Sequence, residues 1–210
     1  MSSIAPASLV LWCLGAFLCG SIPFGLLLVK LAGKGDVREH GSGNIGATNV
    51  SRVGGKALGI VTLLLDILKG FLPVFLGKAF GLGESALSFL ALAAVLGHVF
   101  TPWLKFQGGK GVATALGVAL AFRAAMVLPA LGLFIVLLLI FRFVSLGSVM
   151  AALALPVALI WTGATPLVIL LWADISLLVI VKHHENIRRL LKGTEAPLWG
   201  AKKETAHDQG

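Results

Sequence analysis

Long apolar stretches alternate with short polar ones along this chain. The apolar stretches run at about 8–31, 57–82, 86–103, 112–122, 124–141, 147–162 and 166–182. Crossing a bilayer as a helix takes roughly 20 apolar residues, so these stretches predict spanning helices. The fourth is short: as a helix it measures about 16 Å, so it must tilt, start deep or sit shielded inside a bundle. The pattern predicts an all-α polytopic membrane protein with seven transmembrane helices and a short fourth helix. Residues 1–195 read as one transmembrane domain and 196–210 as a polar tail, expected to be disordered. No internal repeat or inverted symmetry is visible.

Three polar segments punctuate the runs: GKGDVREHGSGNIGATNVSRVGGK at 33–56, KFQGGKG at 105–111, and the tail from Lys182, KHHENIRRLLKGTE. Two apolar runs separate the first pair and four the second, and even numbers put all three segments on one side. The charges agree. Fourteen of the 17 Lys and Arg lie in or beside these segments and the 142–146 turn. Lys78 and Arg123 fall in opposite loops and Lys69 inside a run. By the positive-inside rule the three segments face the cytoplasm, with the N-terminus outside and the C-terminus inside. Met1 to Pro6 carries no basic residue, so the first run reads as a retained span, not a cleaved signal.

Composition narrows the picture further. The chain is 210 residues, 58% hydrophobic and 12% charged, against about 25% charged in soluble domains. That leaves too little polar surface to face water. The net charge of +8 fits membrane sidedness and does not call for nucleic acid as a partner. Cys13 and Cys19 lie on different faces of one run, which argues against a disulfide, and two thiols make no metal cluster.

Glycine-rich polar loops converging on one face suggest an anion site. Glycine lets backbone N–H groups approach a ligand and form a nest for phosphate oxygens. Arg52 suits a bidentate clamp on phosphate. Gly108, Gly109, Lys110 and Gly111 lead straight into an apolar run, and a helix start with glycines and a lysine is a phosphate site. Two apparent motifs fail on context. Gly41, Gly43 and Gly46 match a dinucleotide fingerprint with Asp66 twenty residues on, but no strand precedes them. GGKGVAT lacks the Ser or Thr that follows the lysine of a Walker loop.

In the third segment His183 and Asn186 share a helical face. Arg188, Arg189 and Lys192 read as lipid-surface anchors, and Glu195 as a structural acid that braces a loop. Within the runs, Asp66 and Lys69 are spaced to pair. Asp66, His98 and Asp174 lie roughly 8–15 Å below the polar segments and are expected to form a polar floor beneath them.

GSGNIGATNVSR, FQGGKGVAT and HHENIRRLLKGTE, in this order and spacing, resemble the three motifs of the bacterial acyl-phosphate:glycerol-3-phosphate acyltransferases, the PlsY family. The resemblance covers nearly the whole chain. It implies an inner-membrane enzyme, active at the cytoplasmic face, in the first step of phospholipid synthesis. Such an enzyme moves an acyl group from fatty acyl phosphate to the 1-position of glycerol 3-phosphate, giving lysophosphatidate and phosphate. It further implies a functional link to an acyl-phosphate synthase and to a 1-acylglycerol-3-phosphate acyltransferase, membrane lipid around the protein, and no cofactor. Carried over by motif, Ser42, Arg52, Lys110, His183 and Asn186 are catalytic. Gly41, Gly43, Asn44, Thr48, Asn49, Gly108, Gly109 and Gly111 hold substrate or phosphate, and Glu195 is the structural acid. Of the two histidines, His183 is preferred because it lies three before Asn186.

Acyl phosphate is already activated, so no metal is obligatory. The expected reaction is direct transfer. Ser42 and Arg52 position phosphate, Lys110 offsets leaving-group charge, His183 and Asn186 orient the acceptor, and the substrate's phosphate serves as base. An acyl-Ser42 intermediate is the rival. A transporter or channel for a phosphate-bearing solute is the competing class, disfavoured because the binding features lie on one face and not at mid-membrane.

Overall fold

Pro6 opens the first helix, where its missing N–H belongs to the unbonded first turn in any case. That helix, α1 (Pro6–Ser21), stops at Ile22–Pro23, and α2 (Phe24–Leu31) continues the same apolar stretch. The computed structural model describes residues 5–199, and all regular structure among them is helical. Residues 200–210, most of the expected tail, lie outside the described residues. After the first polar segment come α3 (Ala47–Gly54), α4 (Lys56–Ala79), α5 (Glu84–Val99), α6 (Val112–Phe141), α7 (Val144–Trp161), α8 (Pro166–Lys182) and α9 (His184–Leu191). Five stretches are long and apolar enough to cross a membrane: Pro6–Leu31, Lys56–Ala79, Glu84–Leu104, Val112–Phe141 and Val144–Trp161. The pair α8 and α9, bent by 58°, makes a sixth.

The runs 112–122 and 124–141 form two helical arms of α6, separated as expected at Arg123, whose φ of −157° and ψ of 94° leave helical geometry. A straight helix of 30 residues would measure about 45 Å. Yet Lys110, just before α6, and Ser145, just after it, both bond into the Asn186–Glu195 cluster. The element therefore folds back at Arg123 into two arms. At the turn, the Arg123 guanidinium pairs with Glu84 and donates to Thr162 Oγ1 at 2.7 Å, tying together three connections at that end of the bundle.

Small residues set the packing between α4 and the first arm of α6. A methyl group at Gly70 would strike the Thr114 carbonyl, and one at Gly117 the Ile67 carbonyl. Such close backbone approach is how helices associate where the surroundings are themselves apolar. Trp172 is fully buried at the centre, against the Phe122 ring with centroids 5.2 Å apart. Large apolar side chains also face outward, among them Leu11, Leu64, Leu128, Leu139 and Trp161. An exterior this oily suits a bilayer.

Charges inside the bundle are paired. Lys69 Nζ lies 2.8 Å from Asp66 Oδ1 and donates to the Ile22 carbonyl at 2.7 Å, at the break between α1 and α2. The expected three-residue polar floor is smaller than the sequence suggested. Asp174 is exposed on the outer surface of α8, whereas Asp66 and His98 are buried together. The rotation of α8 decides this: Trp172, Ile175, Ser176 and Val179 face inward, and Asp174 lies on the other side.

Candidate active site

Asn49 organises the first polar loop. Its side chain accepts from the Ser42 N–H at 2.9 Å and donates to the carbonyls of Val37, His40 and Asn44 at 3.1, 3.0 and 2.9 Å. It is buried, with its polar atoms taken up by these bonds, so it acts as the loop's internal strut. Asn44 Oδ1 accepts from the Gly46 N–H at 2.8 Å, and α3 starts directly after. Gly41 and Gly43 take φ of 62° and 65°, a region open to glycine at no steric cost. A side chain at Gly41 would collide with Asn49. This scaffold leaves Ser42 exposed on the loop and Arg52 exposed on α3, and Arg52 has no hydrogen bond or ion pair among the described residues.

The second loop is held by its own glycines. The N–H groups of Gly108 and Gly109 donate to the carbonyls of Val99 and His98 at 3.0 and 3.1 Å. A methyl group at Gly109 would fall on the His98 ring. These two N–H groups, expected as a phosphate nest, are therefore spent in clamping the loop onto the end of α5. Gly111 caps α6 with φ of 85°. The loop's product is the placement of Lys110, whose ammonium donates to Asn186 Oδ1. An ammonium has three donors, so two remain for a ligand.

The third segment bends at His183, between α8 and α9. The His183 Nδ1 lies 2.7 Å from the Val179 carbonyl. A carbonyl only accepts, so Nδ1 carries the proton there, and in the neutral ring Nε2 keeps its lone pair. Asn186 Nδ2 donates to Glu195 Oε1 at 2.7 Å, Ser145 Oγ donates to the same oxygen at 2.6 Å, and Arg189 Nε donates to Oε2 at 2.7 Å. Burial pushes the Glu195 carboxyl up, but the hydrogen bonds from Ser145, Asn186 and Arg189 outweigh it and hold the group below its ordinary range. Burial pulls the Lys110 ammonium below the usual lysine range, and the Arg189 charge adds to the effect against the nearby carboxylates of Glu195 and Glu185.

A cavity of about 810 Å³ joins these pieces. Gly41, Ser42, Asn44, Thr48, Asn49 and Arg52 border it from the first loop, Lys110 and Gly111 from the second, and His183, Asn186 and Glu195 from the third. Gly43, Gly108, Gly109 and Lys69 do not border it. Asp66 and His98 lie on its wall, and below the polar mouth it continues between apolar side chains such as Leu131, Phe134, Leu138, Ala151 and Leu155. Arg189 and Ser145 also line it, although the sequence pointed to Arg189 as a lipid anchor and gave no signal for Ser145. Both act through Glu195, at spacings of 6 and 50 residues that no helical repeat reveals. Among the described residues no group of His, Cys, Asp and Glu side chains is placed to hold a metal. The arrangement offers cations and hydrogen-bond donors to phosphate oxygens at one end and an apolar channel to a hydrocarbon chain at the other.

Residues 10–193 match the family model of glycerol-3-phosphate acyltransferase. The glycerol-3-phosphate acyltransferase of Trichlorobacter lovleyi is 51% identical over 88% of this chain and 95% of its own. That of Geobacter sulfurreducens is 51% identical over 86% and 92%. The fold is also similar to the crystal structure of PlsY (YgiH), an integral membrane glycerol 3-phosphate acyltransferase. In its glycerol 3-phosphate form the TM-score is 0.87 at 42% identity, over 92% of this chain and 96% of that one. In its lysophosphatidic acid form the TM-score is 0.83 at 41% identity, over 90% and 95%. Motifs, fold and cavity agree, and this multi-pass membrane chain belongs to the glycerol-3-phosphate acyltransferase family.

Proposed function

We propose that the protein transfers a fatty acyl group from acyl phosphate to the 1-hydroxyl of glycerol 3-phosphate, releasing lysophosphatidate and inorganic phosphate. The observation that carries this reading is the single cavity with Arg52 and Lys110 at its mouth and an apolar channel beneath. Both substrates are phosphate-bearing anions, and one carries a long hydrocarbon tail. The tail lies between the second arm of α6 and α7 while the phosphates sit among the loops.

Transfer is direct. The glycerol 3-phosphate hydroxyl oxygen bonds to the acyl carbon, the C–O bond to the donor's phosphate breaks, and phosphate leaves. Arg52 and Ser42 hold phosphate, and Lys110 offsets the negative charge that develops on the oxyanion and the leaving group. His183 Nε2 and the Asn186–Glu195 pair orient the acceptor hydroxyl, whose proton passes to a substrate phosphate. The chain crosses the inner membrane seven times, the fold-back at Arg123 supplying two of the crossings, with the N-terminus outside and the site in the cytoplasm. The basic loops around the site support that orientation. The reaction then follows an acyl-phosphate synthase and precedes a 1-acylglycerol-3-phosphate acyltransferase.

The test is purified protein in detergent or lipid, supplied with glycerol 3-phosphate and either palmitoyl phosphate or palmitoyl-CoA. Release of phosphate with palmitoyl phosphate and no product from palmitoyl-CoA is expected. Product only from palmitoyl-CoA overturns the donor. Trapping an acyl-Ser42 adduct with acyl phosphate alone overturns direct transfer.

A further inference from the structure

Three buried side-chain atoms have no hydrogen-bond partner among the described residues, His98 Nδ1, Thr114 Oγ1 and Trp172 Nε1, and Asp66 Oδ1 is held by the Lys69 ammonium at 2.8 Å. Of these three residues only His98 borders the cavity, Asp66 borders it too, and their atoms face each other, with His98 Nδ1 3.9 Å from Asp66 Oδ1. That gap is too wide for a direct hydrogen bond. Both side chains are nearly inaccessible, at 4% and 2% exposure. A ring nitrogen such as His98 Nδ1 left unbonded at such depth is costly unless a further group completes it, and Asp66 Oδ1, with Lys69 as its one partner among the described residues, has room to accept a second bond.

The pair sits directly beneath the second loop. Gly109 packs on the His98 ring, and the next residue is Lys110. Arg52, Lys110 and His98 all border the same cavity, so a ligand whose phosphate is held by Lys110 and Arg52 extends into the space that His98 also borders. Glycerol 3-phosphate has two hydroxyl groups, one that attacks and one that does not. A hydroxyl both donates and accepts. Placed beside the gap at hydrogen-bond distance from both atoms, it donates to the Asp66 carboxylate and accepts from the His98 ring. Lys69, 2.8 Å from the same carboxylate oxygen, keeps Asp66 in place.

We propose that His98 and Asp66 form the specificity site that recognises the non-reacting hydroxyl of the glycerol 3-phosphate acceptor. It deepens the proposed reaction and rests on glycerol 3-phosphate being the acceptor. The chemistry it selects is a polyol phosphate with a hydroxyl next to the attacking carbon. A site built to bond a hydroxyl rejects an analogue lacking it, because its own polar groups are then left unpaired.

The experiment compares glycerol 3-phosphate with propane-1,3-diol monophosphate, which lacks the middle hydroxyl, using acyl phosphate as donor. Wild-type enzyme is expected to favour glycerol 3-phosphate in kcat/KM by about tenfold or more. In His98→Leu the ratio is expected to collapse towards one, because kcat/KM for glycerol 3-phosphate falls far more than that for the analogue. His98→Gln, which keeps a hydrogen-bonding group, restores part of the ratio. Thermal unfolding of each variant identifies any that is misfolded. Wild-type enzyme that uses both acceptors equally overturns the proposal with no variant needed. An unchanged ratio in folded His98→Leu also overturns it and leaves the pair to a trapped water. Absence of turnover with glycerol 3-phosphate in wild type would instead defeat the proposed reaction itself.

Discussion

Lys110 and Asn186, 76 positions apart, are joined by a hydrogen bond from the ammonium to the amide oxygen, and the same amide donates to Glu195. The second and third polar segments are thereby locked together. Asn186 fixes where the Lys110 charge stands, and Glu195 fixes Asn186. Asn186→Ala frees the ammonium to wander. A hydrogen bond to a charged group is worth about 1.5–3 kcal/mol, so kcat/KM is expected to fall roughly 10- to 100-fold. Phosphate release at varied glycerol 3-phosphate measures it, with a thermal unfolding control.

Asn49 is the residue whose loss should damage the first loop most. Asn49→Ala strands the carbonyls of Val37 and Asn44 and the Ser42 N–H together, whereas the His40 carbonyl keeps its bond from the Gly43 N–H. A destabilisation of about 2–4 kcal/mol is expected. It should appear as a lower unfolding temperature, and activity should fall with it because Ser42 and Arg52 lose their scaffold. Unchanged stability would mean that the loop is not built on this side chain.

The Lys110 ammonium lies below the usual lysine range, chiefly through burial. Below its pKa it is charged and attracts phosphate. As pH rises through that lowered value the charge is lost. KM for glycerol 3-phosphate is therefore expected to climb on the alkaline side sooner than an ordinary lysine would allow. Arginine does not lose its proton in this range, so Lys110→Arg, whatever its rate, should show a flatter alkaline limb. A pH profile of KM in both proteins decides it.

Glu195 runs in the opposite direction. Its folded-state pKa is depressed below the ordinary 4.5. The carboxylate's contribution to stability is complete above the unfolded value and is lost as pH falls through the folded one. Unfolding temperature should therefore drop in acid, and Glu195→Gln should be less stable near neutrality with a shallower acid dependence. An identical acid limb in both proteins would remove Glu195 from the account.

The apolar channel makes a prediction about donors. Ala151 lines it from α7, and a larger side chain there fills space that a long acyl chain needs. Ala151→Phe is expected to shift preference towards shorter acyl phosphates, read as the ratio of kcat/KM for a short and a long donor. A preserved ratio would place the chain elsewhere.

The sequence by itself was enough for the membrane, the helical class and the three polar segments. Each depends on local quantities, namely an apolar run, a glycine cluster or a lysine count, and these act through neighbouring residues. The pairing of Asp66 with Lys69 was legible for the same reason, since three residues apart on a helix is a contact. Only the tertiary structure decided which groups are used and which are free. It spends the N–H groups of Gly108 and Gly109 on α5 and turns Asn49 inward as a strut. It recruits Arg189 and Ser145 to Glu195, and it rotates Asp174 away from His98. It also folds the runs 112–122 and 124–141 back on each other at Arg123, where the sequence marked only the break between them. None of these follows from spacing, because each depends on which face a helix turns to a partner distant in sequence, and the packing of the whole bundle sets that rotation.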